Sequence, residues 1–217
     1  MKKFMHRLFG FSLGPVLGAL ISFIQVPILT YFLSVNEYGY AGTFQTLLLQ
    51  LPNFIYIGID QAYTREYHTR KDKRYLIQQA MFIPMIVGMI IFLMFILFDQ
   101  TLSVYLFQNP EYRYIVWYSG IWVLSAILER FVLLSIRMEE RAFEYSMYNL
   151  MLKIGVFALS LLLIATGMRD FRVIVYGLIF GQLLVDAVLF IRYADLLKIK
   201  AFKPDWPLLN RMFRFGF

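Results

Sequence analysis

The sequence predicts an all-α membrane protein of six transmembrane helices with both termini in the cytoplasm. Three observations predict it: an apolar composition, six long runs poor in charge, and a lopsided distribution of Lys and Arg. Of the 217 residues, 60% belong to the AVILMFWYC set and 16% are charged, against about 45–50% apolar and about 25% charged in a typical soluble chain. Mean hydropathy is +0.63. A chain of this size has too little interior to hide that much apolar surface from water, so lipid is its solvent. In lipid every backbone N–H and C=O must be satisfied within the segment, which makes the spans helical.

A run of ~20 apolar residues crosses a ~30 Å hydrocarbon core. Residues 8–33 form the first such run without a formal charge, 38–59 the second and 75–98 the third. The fourth, 114–136, is interrupted by Glu129 and Arg130; the fifth, 145–168, contains Lys153; the sixth, 173–191, contains Asp186. Lys2, Lys3 and Arg7 precede the first run as a signal peptide's basic region would. The run is far longer than the usual 7–15 residues and no A-x-A-like cleavage site follows, so it reads as a retained helix.

Orientation follows from the connecting segments. Sixteen Lys and Arg fall in the N-terminus, the loops after spans two and four, and the tail, whereas the opposite loops hold only Arg113, Arg169 and Arg172. This places both termini in the cytoplasm of a multi-pass protein of the inner (cytoplasmic) membrane. The net charge of +7 is thereby explained by topology, and no basic face interleaved with aromatics indicates a nucleic-acid partner. The chain has no cysteine, which excludes disulfides, Cys-ligated metals and thiol nucleophiles. His6 and His68 lack metal-ligand spacing, and no cofactor or metal is expected.

Within the spans, Gly10, Gly14, Gly18 and Ser22 recur at steps of four, and Gly177 and Gly181 repeat the step once. Such stripes let helix backbones approach closely. Pro15, Pro27, Pro52 and Pro84 lie in spans one to three, where each removes a hydrogen bond and favours a kink. Gln25, Gln45, Gln50 and Asn53 add polar groups to spans one and two. They suit bonds between helices as well as they suit a pathway lining.

The charges Glu129, Arg130, Lys153 and Asp186 are costly in lipid and therefore the most informative. Their positions place all of them at a similar depth in the cytoplasmic half. Two readings stay open. In one they are structural ion pairs, Glu129 with Lys153 first among them, with Arg130 snorkelling to the interface. In the other they line a hydrated cavity, Arg130 and Lys153 meeting an anionic substrate, and Asp186 or Glu129 carrying a coupling proton or sodium ion.

Residues 22–45 read SFIQVPILTYFLSVNEYGYAGTFQ and residues 58–67 read GIDQAYTREY. Pro27, Leu29, Thr30 and Leu33, then Glu37-Tyr38-Gly39, then Gly58, Ala62, Arg65 and Tyr67 carry a pattern. It resembles the N-terminal region of Wzx-type polysaccharide-export flippases in the multidrug/oligosaccharidyl-lipid/polysaccharide exporter superfamily. The resemblance implies one six-helix lobe of a two-lobed exporter of 12–14 helices, working by alternating access. The implied cargo is an undecaprenyl-pyrophosphate-linked oligosaccharide for cell-surface polysaccharide such as O-antigen, capsule or exopolysaccharide. Basic cavity residues of the family meet the pyrophosphate and sugar; Arg130 and Lys153 are the candidates here. Arg65, Pro27, Glu37 and Gly39 take gating or structural roles. Residues 1–192 are then the lobe and 193–217 a cytoplasmic interlobe linker, whose Leu208, Leu209, Met212 and Phe213 form an apolar face suited to the inner leaflet. A missing C-terminal lobe or a second chain is the expected partner, beside membrane lipid.

Alternative functions are a drug or cation exporter of the same superfamily, or a non-enzymatic scaffold of envelope assembly. A membrane-bound glycosyl or acyl transferase would need a sizeable extramembrane loop rich in Asp, His or Arg. The external loops are short, and the connection around 60–74, with Asp60, Glu66 and His68, reads as a solvated basic loop. The sequence therefore predicts a transporter and no enzyme.

Overall fold

In a computed structural model, the backbone is described for residues 2–198 and 203–216, and side chains for 12, 14–198 and 203–214. Lys2, Lys3, His6, Arg7, Gly10, Lys200 and Phe215 to Phe217 therefore lie outside the described side chains. Every regular element among the described residues is a helix, with no strand. The elements are α1 (Lys2–Phe32), α2 (Val35–Tyr56), α3 (Ile59–Glu66), α4 (Lys73–Leu97), α5 (Asp99–Phe107), a 3₁₀ turn (Pro110–Tyr112), α6 (Arg113–Met138), α7 (Ala142–Ala165), α8 (Arg172–Arg192), α9 (Ala194–Leu197) and α10 (Trp206–Gly216).

Among the described residues five segments are long and apolar enough to cross a membrane: Gly14–Phe32, Lys73–Leu97, Pro110–Met138, Ala142–Ala165 and Arg172–Arg192. The chain is a multi-pass membrane protein. The expected second span, 38–59, is not among the five. Its helix α2 is diluted by Glu37, Gln45, Gln50 and Asn53, and it stops at Tyr56 rather than at residue 59. Ile57 and Gly58 both take left-handed backbone, φ 45° and 73°. Glycine adopts that region without penalty, whereas a β-branched residue there is an outlier. The prolines do not interrupt their helices: α1 continues through Pro15 and Pro27, α2 through Pro52, and α4 through Pro84.

The chain divides into two compact units, Met1–Leu47 with Glu140–Leu189, and Leu48–Glu139 with Phe190–Phe217. In the first, the small-residue stripes serve close packing. A Cβ on Gly14 would stand 2.8 Å from the Ser146 backbone of α7, and one on Gly181 of α8 would stand 2.7 Å from the Gly155 carbonyl and the Val156 Cα of α7. Gly177 leaves room for the Ser160 hydroxyl, which donates to the Val156 carbonyl at 2.9 Å. In the second unit α4 packs along α6, with the Ile127 side chain 2.5 Å from a Cβ built on Gly88 and the Phe92 ring over Gly120.

One connection carries a helix of its own, and two expectations about connections are corrected. The loop after the third span holds α5, whose Asp99 accepts from the Trp117 indole N–H at 3.0 Å and whose buried Ser103 donates to the Asn109 carbonyl at 2.6 Å. The connection around 60–74 is no solvated loop in its first half, because α3 buries Ile59, Asp60, Ala62 and Tyr63. The apolar face of the tail does not lie on lipid: Leu208, Leu209 and Met212 are buried, with α10 seated on α3 and α4. Gln79, wholly buried, fastens the approach to α10 by donating to the Lys203 carbonyl and accepting from the Asp205 N–H, at 2.7 and 2.9 Å.

Candidate functional site

The second unit builds a polar ladder at the break between α2 and α3. Tyr56, Asp60, Tyr63 and Tyr67 recur at helical spacing and meet α6, which runs parallel to them. The Tyr56 hydroxyl donates to the Ala126 carbonyl at 3.2 Å, and Arg130 Nη2 donates to Asp60 Oδ2 at 2.7 Å. Tyr63 and Ser135 share a 2.6 Å hydroxyl bond, and the Tyr67 hydroxyl donates to Glu139 Oε1 at 3.3 Å. Phe131 fills the middle, edge-on to Tyr56 and Tyr63 at 6.1 and 5.6 Å. Burial, with the charge and acceptor of Glu139 beside it, pushes the Tyr67 hydroxyl up to about 12. Burial also raises Tyr63, so both phenols remain neutral donors.

Asp60 and Arg130 are the charged rung. The Asp60 side chain is 10% exposed and that of Arg130 48%. One carboxylate oxygen takes the guanidinium and the other the Gln61 N–H at 2.9 Å. The Tyr56 ring lies 5.8 Å from the guanidinium carbon, within cation–π range. The geometry depends on the break: Gly58 ends the α2 register and its carbonyl starts α3, accepting from Gln61 and Ala62. That turn brings the first carboxylate of α3 against α6. The Arg130 side chain is half-exposed while its guanidinium is held by Asp60, an arrangement that presents a positioned cation to an anion.

The other expected residues fall as follows. Glu129, adjacent to Arg130 on α6, is half-buried and has an interaction partner. Lys153 lies on α7 of the first unit, exposed, its stem 3.4 Å from the Cβ position of Gly18. Glu129 belongs to the second unit and Lys153 to the first. Asp186 on α8 is 1% exposed, one helical turn and a residue beyond Gly181. Arg65 is exposed on α3. Pro27 faces outward in α1, where Thr30 donates to the Val26 carbonyl at 2.9 Å. Glu37 has a structural task in the first unit: its Oε2 accepts the Phe171 N–H at 2.7 Å, holding the approach to α8. Gly39 is exposed, and a Cβ there would meet nothing within 4 Å.

The residue that sequence reasoning missed is Asp60. Its signal was present: the only carboxylate in G-I-D-Q-A, one residue past a glycine at a span end. Residues 8–217 match the family described as polysaccharide biosynthesis protein. The chain belongs to that family. The match fits the resemblance to polysaccharide-export flippases read from 22–45 and 58–67, and it supports a polysaccharide-related membrane transporter. No curated protein and no solved structure matches the chain.

Proposed function

We propose that this family member flips a lipid-linked oligosaccharide, carried on undecaprenyl pyrophosphate, between leaflets of the inner membrane by alternating access, without catalysing a reaction. The observation that carries the reading is the half-exposed Arg130 side chain of apolar α6, held by Asp60 at the break between α2 and α3. Arginine presents a planar fork of donors that matches phosphate oxygens in pairs. Interrupted helices are where transporters place binding sites. Lys153, exposed on α7, is the second candidate anion contact, and buried Asp186 the candidate carrier of a coupling proton or sodium ion.

The test is complementation of a strain lacking the native gene, scored by surface polysaccharide with membrane protein levels measured alongside. Arg130→Ala is expected to abolish export at normal protein level, and Arg130→Lys to restore only part of it. Accumulation of lipid-linked oligosaccharide accessible only from the cytoplasmic side accompanies the loss. Full export by Arg130→Ala at normal level overturns the assignment.

A further inference from the structure

An open groove of about 580 Å³ runs between α4 and α10, bounded by Ile83, Trp206, Pro207, Leu209, Asn210 and Phe213. Its origin lies in the helix periodicity of α10. Leu208, Leu209 and Met212 share one face and are 1–2% exposed against the protein. Trp206, Asn210 and Phe213 share the neighbouring face by i, i+4, i+7 spacing, and there Trp206 is 66% exposed and Phe213 39%. Arg214 follows on the polar flank of that second face. Arg211 falls on the opposite flank, 3.9 Å from Glu66. Arg214 has no carboxylate partner among the described residues, and the Trp206 indole N–H has no acceptor.

Farther along α4, Ile86, Ile90, Leu93 and Leu97 are exposed and spaced to form one apolar ridge with Ile83. This helix is long and apolar enough to cross a membrane. The uninterrupted apolar stretch of α4 begins at Ala80, after Tyr75, Gln78 and Gln79 bond to Asp205, Lys198 and Lys203, so Ile83 stands three residues, or ~5 Å, into it. The groove thus opens near the level where tryptophan sits in membrane-interface belts, and the helix runs on into the hydrocarbon. The groove is lined by apolar side chains and the Asn210 carboxamide, and Arg214 follows Asn210 by one helical turn; an apolar slot beside a carboxamide and a guanidinium has the chemistry of an acyl chain joined to a phosphate.

We propose that the α4–α10 groove binds an anionic phospholipid of the bilayer, its acyl chain along Ile83, Ile86 and Ile90 and its headgroup phosphate at Arg214 and Asn210. The bound lipid covers the outer face of α10, whose inner face is already covered by α3 and α4. The site is separate from Arg130 and stands whatever that residue binds.

Of the three tryptophans, Trp117→Phe and Trp122→Phe leave Trp206 as the reporter. The protein is reconstituted in phosphatidylcholine bilayers doped with brominated phosphatidylglycerol or, separately, with brominated phosphatidylcholine. Brominated phosphatidylglycerol is expected to half-quench Trp206 at roughly fivefold lower mole fraction, the factor one cation contributes at an anionic surface. Arg214→Gln removes that preference and Arg214→Lys keeps it. Native mass spectrometry of the unsubstituted protein, expected to retain phosphatidylglycerol over phosphatidylcholine, covers failure of the tryptophan variants to fold. Equal quenching by both lipids, a preference surviving Arg214→Gln, or a Trp206 shielded from both lipids by protein each overturns the proposal.

Discussion

Replacing Asp60 and Arg130 singly and together separates the energy of their contact from the individual roles of the two side chains. At 2.7 Å a pair of unit charges attracts by about 1.5 kcal/mol at the dielectric of water and about 6 kcal/mol at an effective value of 20. The half-exposed Arg130 side chain pulls the figure toward the lower end, and the desolvated Asp60 carboxylate subtracts from it. A coupling energy of about 1–2 kcal/mol is the expected net. Arg130→Gln is the costlier single change, near 2 kcal/mol, because it leaves a buried carboxylate with only the Gln61 N–H to satisfy it. Asp60→Asn costs about half as much, since the freed guanidinium turns to solvent. The assay is a double-mutant cycle on reversible SDS-induced unfolding in mixed micelles, followed by circular dichroism. The double variant should be more stable than the two single losses added together. A coupling under about 0.3 kcal/mol, within the additivity of independent sites, refutes the claim that this pair fixes α3 against α6.

Two further outcomes follow from the packing. Gly181→Ala puts a Cβ 2.7 Å from the Gly155 carbonyl oxygen and the Val156 Cα, atoms that move only with their helix. Overpacking of this kind costs about 1–3 kcal/mol, read as a lower unfolding midpoint, whereas Gly39→Ala, with open space around it, leaves the midpoint unchanged. The Leu208 N–H, with the Tyr75 hydroxyl next, holds the Asp205 carboxyl below its ordinary value. A depressed folded-state value means the docking of α10 is stabilised above the unfolded carboxylate range, about pH 4, and weakens as pH falls through the folded value. Hydrogen exchange in Trp206–Gly216 should therefore accelerate in acid, and Asp205→Asn should remove that acid dependence.

The sequence alone determined what periodicity and composition encode. Apolar runs placed α1, α4, α6, α7 and α8 within a few residues, because lipid enforces helix wherever ~20 apolar residues run together. Steps of four marked Gly14, Gly177 and Gly181 as contact points, since one helix face carries both the pattern and the packing. Arg130 stood out because a charge in such a run demands a reason. Tertiary structure decided the partners. Asp60 and Arg130 are seventy residues apart, and no local rule pairs them; the left-handed turn at Ile57–Gly58 does. The amphipathic pattern of α10 told that one face is apolar and left open what covers it, because protein and lipid reward the same pattern with the same free energy. Only the docking of α10 on α3 and α4 shows that protein takes Leu208, Leu209 and Met212 and leaves Trp206 and Phe213 facing outward.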